Sequence, residues 1–283
     1  MRSRSIVVAG AALALLVAGC SSDSKDSGAK TSTTTAKAAA RELNILVSND
    51  DGYSADGIDA LVQALRALPD VQVTVSAPAD NKSGTGSATT PGALTATQAT
   101  TKSGYPATAV KGYPADSVNY ALQHVVKQKP DVVLTGVNEG ANLGPVTTLS
   151  GTVGAAKAGA AAGIPALASS AGGVSPLDYA GGAKLVVDWV KAHRSQLLAH
   201  TATVGVVNLN IPTCSAGKLR GVEQEPLSPQ PSITAAIEGS ADCTSTATSF
   251  TGDVDAFRAG FATVTQLTPA LETVTTSTTW PAG

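Results

Sequence analysis

Apolar positions change their spacing several times along this chain, and each change marks an element. Leu43 to Val47 is a short apolar run that breaks at Ser48-Asn49-Asp50-Asp51-Gly52, the pattern of a buried strand entering a polar turn. From Gly57 to Leu68, apolar residues fall at 58, 61, 62, 65 and 68, which places them on one helical face. Val71, Val73 and Val75 alternate as in a strand that stops at Ala77-Pro78. A Gly/Ser/Thr-rich loop covers Asn81 to Gly92, and the Thr-rich stretch 93–111 is ambiguous, a hairpin being one reading. Pro114 to Lys127 predicts a helix with proline at its start, and Asp131 to Leu134 a strand. The Gly/Asn-rich stretch Thr135 to Leu149 predicts a loop and Ser150 to Ala162 an Ala-rich helix. Pro165–Ala168, Leu177–Ala192 and Val204–Leu209 then read as strand, helix and strand. Beyond Pro212 the pattern dissolves into Pro, Ser and Thr, and recovers as a strand only at Ala259 to Leu267.

Repeated strand-helix-strand units predict an α/β fold, a mostly parallel sheet covered by helices on both faces, with a divergent C-terminal extension. In such sheets ligands bind outside the carboxyl ends of the strands. Three polar loops follow three of the predicted strands: Asn49-Asp50-Asp51, Asn81 to Ser87, and Asn138 to Asn142. All three should open on one edge. Adjacent carboxylates repel each other, and a divalent cation relieves that repulsion. Oxygen donors from Asp, Ser and Asn suit a hard ion, Mg²⁺ or Mn²⁺, better than Zn²⁺. Alone, Asp50-Asp51-Gly52 also reads as a turn leading to a helix N-cap. Ser150-Gly151-Thr152 opens a helix, where free N–H groups and partial positive charge suit a phosphate, and Ser150 also suits a simple N-cap.

Composition narrows the chemistry. The chain has 283 residues, 43% hydrophobic, with a formal charge of -2, so no basic excess is available for a nucleic-acid polymer. No Gly-x-x-x-x-Gly-Lys-Ser/Thr segment is present, which removes an NTPase P-loop. His124, His193 and His200 all fall in or after helical patterns, away from the polar loops. A His-based triad or zinc site has little support, and metal-assisted hydrolysis by carboxylates remains.

The two ends read differently from the body. Arg2 and Arg4 precede an apolar run, Ile6 to Val17, of signal-peptide rather than membrane-spanning length. It ends in Val17-Ala18-Gly19-Cys20, which resembles a bacterial lipobox with Cys20 as the lipidated mature N-terminus. The expected organisation is a signal peptide over 1–19, lipidated Cys20 and a polar tether to 40, the α/β domain over 41–270, and a tail over 271–283. The protein is then exported and lipid-anchored on the outer face of the bacterial cell membrane, its membrane contact confined to that anchor. In an oxidising compartment Cys214 and Cys243 form an even pair that suits a disulfide.

Several segments together resemble the SurE family of metal-dependent nucleotidases. They are Ile45 to Gly52, Asn81-Lys82-Ser83-Gly84, Gly136 to Gly144 and Ser150 to Ala156, with Gly112 to Asp116 and Asn208 to Pro212 in the same order. The resemblance implies a Rossmann-like three-layer core and hydrolysis of nucleoside monophosphates to nucleoside and phosphate. By motif position it implies one divalent ion held by Asp50, Asp51, Ser83 and Asn138, with Asp50 and Asp51 also catalytic. Asn138, Ser150, Gly151 and Thr152 would contact the substrate phosphate. Asp50 reads as either a nucleophile or the base for an attacking water. Family members exchange a C-terminal hairpin in forming homodimers or larger homo-oligomers, and here the C-terminal third matches only at Gly252-Asp253 and Gly260 to Thr265. Alternatives are a broad acid phosphatase or polyphosphatase using the same site, and a lipoprotein that binds nucleotide or phosphate without turnover.

Overall fold

The computed structural model describes residues 41–173, 175–229 and 240–268. The expected signal peptide, Cys20, the tether and the 271–283 tail lie outside the described residues. A mixed sheet runs through the body in the order β3-β4-β2-β1-β5-β6-β7-β10-β8, with β9 paired to β7. Its strands are β1 (Leu43–Ser48), β2 (Val71–Pro78), β3 (Thr95–Thr100), β4 (Pro106–Lys111), β5 (Val132–Glu139), β6 (Ala166–Gly173), β7 (Val206–Gly217), β8 (Val222–Gln224), β9 (Ala241–Cys243) and β10 (Ala262–Leu267). The central pairs β2–β1, β1–β5, β5–β6 and β6–β7 are all parallel. The Thr-rich stretch is a hairpin, since β3 runs antiparallel to β4.

Helices cover both faces because the strands present apolar side chains on both. On one face, Ile45, Val47, Leu134, Leu167 and Leu209 pack with α1 (Asp56–Arg66) and α4 (Tyr179–Leu198). On the other, Leu46, Val133, Ala166 and Ala168 pack with α2 (Pro114–His124) and α3 (Gly151–Ala161). The expected helical stripe is the buried one: Ile58, Leu61, Val62 and Leu65 are fully covered, each contributing about 1.5–3 kcal/mol by burial. This is the expected three-layer α/β/α arrangement.

Several elements outrun their predicted limits. β5 continues through Thr135 to Glu139, in a stretch read as loop, and β6 through Ser169 to Gly173, beyond the strand expected at Pro165–Ala168. Pairing with β6 carries β5 on, with a register shift between Thr135 and Asn138, and pairing with β7 carries β6 to Gly173. The shift centres on Gly136, whose φ is 113° and where a Cβ would stand 2.2 Å from the Ser169 carbonyl oxygen. The C-terminal third, without a legible period, holds β8, β9 and a short α5 (Asp253–Arg258). The Cys214–Cys243 disulfide is present and ties β9 to β7. No helix among the described residues is long and apolar enough to cross a membrane.

Chain direction decides where a ligand can sit. From β1 the chain moves outward on one side to β2 and β4, then returns to place β5 on the other side of β1. The crevice beyond the carboxyl ends of β1 and β5 is therefore the topological switch point.

Candidate active site

Asn49-Asp50-Asp51 leaves β1 at this crevice. The turn is shaped by Asn49, whose Nδ2 donates to the Gly52 carbonyl at 2.8 Å while its Oδ1 accepts from the Gly52 N–H at 3.2 Å. Gly52 has φ 107°, a conformation that favours glycine. The carboxylates do not cap α1, whose N-cap is Ala55 without a side-chain cap bond. They are left for other work.

Asp50 is 2% exposed and points at the start of α3. The Thr152 hydroxyl donates to its Oδ1, and backbone N–H groups of Gly151 and Thr152 also bear on the carboxylate. Burial pushes its pKa up, and the Thr152 hydroxyl and the N–H groups pull it back. Gly151 is required here because a Cβ would stand 2.7 Å from the Asp50 Cβ. The helix start expected to hold a phosphate thus holds the Asp50 carboxylate first. Thr152 needs correction as a phosphate contact through its hydroxyl, since it is fully buried and that hydroxyl faces Asp50. Ser150 is the N-cap and accepts from the Val153 N–H at 3.1 Å, leaving its own hydroxyl proton for another acceptor.

Asp51 links the three loops. Its Oδ2 accepts from the Glu139 N–H at 3.0 Å, at the end of β5, and its Oδ1 lies 3.5 Å from the Asn81 Nδ2. The Ser83 side chain hydrogen-bonds it from the loop after β2. Burial, then the neighbouring Asp50 charge, pushes its pKa up to about 7. The loop itself is pinned to β1's end by the Lys82 N–H, which donates to the Asp50 carbonyl at 2.7 Å.

Asn138 lies at the same end of β5. It is 6% exposed, and its Nδ2 donates to the Gly140 carbonyl at 2.6 Å. Its Oδ1 is buried with no hydrogen-bond partner among the described residues. A buried acceptor left unpaired is costly; Asn138 directly precedes Glu139, whose N–H meets Asp51, so this oxygen is a candidate donor for an oxygen-seeking cation. Among the described residues no three His, Cys, Asp or Glu side chains gather as a metal cluster. The donor set here has two carboxylates and neutral oxygens from Ser83 and Asn138, which suits a hard divalent ion. The three histidines stand elsewhere: His124 ends α2, His193 lies within α4 and His200 follows it.

The family model described as "Survival protein SurE" matches residues 45–234. This chain belongs to the SurE family. Among SurE relatives, the 5'-nucleotidase SurE of Aliivibrio fischeri is 38% identical over 184 residues, 65% of this chain and 68% of that protein. The 5'-nucleotidase SurE of Methylococcus capsulatus is 36% identical over 180 residues, 63% of this chain and 68% of its own. The crystal structure of the SurE protein from Aquifex aeolicus superposes with a TM-score of 0.64 at 30% identity, covering 81% of this chain and 94% of that one. Every polar loop described above falls inside the SurE match.

The SurE site also rests on residues whose segments matched the family but to which the sequence gave no role. The Asn142 N–H donates to the Asn210 Oδ1 at 2.6 Å, and the Asn208 and Asn210 amides donate back to the Asn142 carbonyl at 2.9 and 3.1 Å. Buried Asp253 takes the N–H groups of Gly144 and Ser228. These bonds fix the Asn138–Gly144 loop against β7 and the C-terminal third. Alternation in β7 held a signal for the asparagines, because Asn208 and Asn210 share a face opposite Leu209.

Proposed function

We propose that this protein is a divalent-metal-dependent 5'-nucleotidase, hydrolysing nucleoside monophosphates to nucleoside and phosphate. Its SurE relatives carry that activity in their names. The observation that carries the reading is the meeting of the neighbouring Asp50 and Asp51 with the Ser83 side chain and the Asn138–Glu139 end of β5 at the switch point of the sheet. Asp50, Asp51, Ser83 and Asn138 would hold the ion, Mg²⁺ or Mn²⁺. When bound, such an ion polarises a phosphoryl oxygen and offsets charge in the transition state.

The chain's own groups do the rest. Thr152 and the start of α3 hold the Asp50 carboxylate in one orientation, which lowers the reorganisation needed at the reacting centre. The Glu139 N–H does the same for Asp51. The Ser150 hydroxyl proton is the side-chain donor at α3's start that remains for a phosphate oxygen. Adjacent carboxylates set this reading above a binding lipoprotein without turnover, because anion capture alone gains nothing from them.

The protein acts outside the cytoplasmic membrane, held by lipid on Cys20. Support comes from the Val17-Ala18-Gly19-Cys20 sequence and from the disulfide, which suits an oxidising compartment. A panel of 5'- and 3'-nucleoside monophosphates, glycerol phosphate and tripolyphosphate tests the assignment by phosphate release. Preference for the nucleoside 5'-monophosphates is expected. Equal turnover of all substrates would instead make the protein a broad phosphatase.

A further inference from the structure

A cleft of about 440 Å³ opens beside Asp51, within the range of small-molecule sites. Its walls include Asp56, Lys102, Glu139 and Tyr179. Tyr179 begins α4 and is half-buried, with its ring edge against Gly57 at the start of α1: a Cβ on Gly57 would lie 3.2 Å from the Tyr179 Cδ1. Gly57 permits this, since the same Cβ would overlap the Val137 carbonyl. Glu139 is exposed and makes no salt bridge among the described residues, whereas Lys102 is paired with Asp56. One wall is thus aromatic, and the charge beyond the paired carboxylates is net negative.

Resting on the nucleotidase reading, we infer that this cleft holds the leaving group, with the Tyr179 ring carrying the nucleobase and Glu139 rejecting any leaving group that bears a further phosphate. Geometry supports each part. The cleft is lined both by Asp51, one of the residues that would hold the ion against the phosphate, and by the Tyr179 ring. A monophosphate directs an uncharged nucleoside along it. A nucleoside diphosphate or short polyphosphate directs a second anion toward an unpaired carboxylate, and like charges brought together in a cleft are strongly disfavoured. Tyr179 itself senses that field: burial first, then Glu139, Asp51 and Asp56, pushes its hydroxyl up to about 12.

The test is a comparison of kcat/KM for AMP, ADP and glycerol phosphate in the full chain with a divalent cation present. Glu139→Gln should raise the ADP-to-AMP ratio by about tenfold through loss of like-charge repulsion. The backbone N–H bond to Asp51 survives that change. Tyr179→Ala should raise KM for AMP about tenfold with kcat moving less, by loss of base stacking, and should leave a much smaller change in KM for glycerol phosphate. Circular dichroism and thermal melting check that both variants fold, and AMP binding by calorimetry gives a readout independent of turnover. A wild-type enzyme active on AMP whose ratios and AMP affinity are unmoved by both substitutions overturns the subsite alone. A wild-type protein that hydrolyses glycerol phosphate but not AMP overturns the nucleotidase reading, and the subsite with it.

Discussion

The Thr152 hydroxyl donates to Asp50 Oδ1 across 102 positions of sequence. That bond joins the end of β1 to the start of α3 and makes Thr152 a positioning residue. Thr152→Val keeps the volume and removes the donor. Losing a hydrogen bond to a charged group costs about 1.5–3 kcal/mol, or roughly ten- to a hundredfold. Metal affinity and kcat should both fall by that order, and Thr152→Ser should restore most of each. Isothermal titration with Mn²⁺ alongside steady-state kinetics checks it; a variant with wild-type metal affinity would sink the positioning role.

Asn138→Ala removes a buried oxygen that has no partner among the described residues. Because nothing pairs with that atom, the metal-free fold should lose little from its removal, while the loss of the Nδ2 bond to Gly140 adds a modest cost. Divalent-ion affinity should drop by about ten- to a hundredfold, the scale of lost ligand-sphere interactions. The diagnostic result is the difference between the melting temperatures with and without Mn²⁺, which should shrink in the variant.

Proton competition gives the metal a pH dependence. In the metal-free protein the Asp51 carboxyl is raised from 3.8 to about 7, chiefly by burial and by Asp50. A raised carboxyl contributes stability that is complete below its unfolded pKa and is lost as pH climbs through the folded one. The metal-free protein should therefore lose that contribution between about pH 4 and 7. A cation needs the carboxylate, so its apparent affinity should fall below pH 7 by up to about tenfold per pH unit for each proton displaced. Titrations with Mg²⁺ at pH 6, 7 and 8 measure this, and a flat profile would contradict it.

The Cys214–Cys243 disulfide closes a span with a sequence separation of 29, far from the carboxylate pair in the chain. Loop-closure entropy assigns it roughly 3–4 kcal/mol. The double variant Cys214→Ser/Cys243→Ser should lower the melting temperature by several degrees while metal affinity per folded molecule is unchanged. Calorimetric melting and Mn²⁺ titration of the pair read both effects.

Export is tested at the N-terminus. Cys20→Ser should abolish lipid attachment and release the protein from membranes. Mass spectrometry of the mature chain decides, and an uncleaved Met1 in membrane-held protein would contradict the lipobox assignment.

Much of this architecture was legible because local pattern and tertiary demand agree. The short apolar run at Leu43 to Val47 and the stripe at 58, 61, 62 and 65 specify a buried strand and the helix that covers it. Polar loops after successive strands placed Asp50, Ser83 and Asn138 on one edge. What stayed hidden depends on partners distant in sequence. Thr135 to Glu139 reads as loop, and only pairing with β6 makes it strand. Ser150-Gly151-Thr152 reads as an anion site, and only the folded chain shows that Asp50 is the first anion there. The brief elements β8, β9 and α5 carry no period long enough to detect. Gly252-Asp253 matched the family without showing what Asp253 does, since its role is set by the N–H groups of Gly144 and Ser228 brought from elsewhere.

The central claim is that Asp50 and Asp51 hold a divalent ion for nucleotide hydrolysis, and one measurement addresses it most directly. Purified wild-type protein and Asp51→Asn are stripped with chelator, then phosphate release from AMP is followed as Mn²⁺ is added back. The account predicts no activity in the stripped wild type, recovery with Mn²⁺, and at least hundredfold weaker recovery in Asp51→Asn, on the order of losing a charged ligand contact. Chelator-resistant hydrolysis in the wild type, or an unchanged Mn²⁺ titration in the variant, would contradict it.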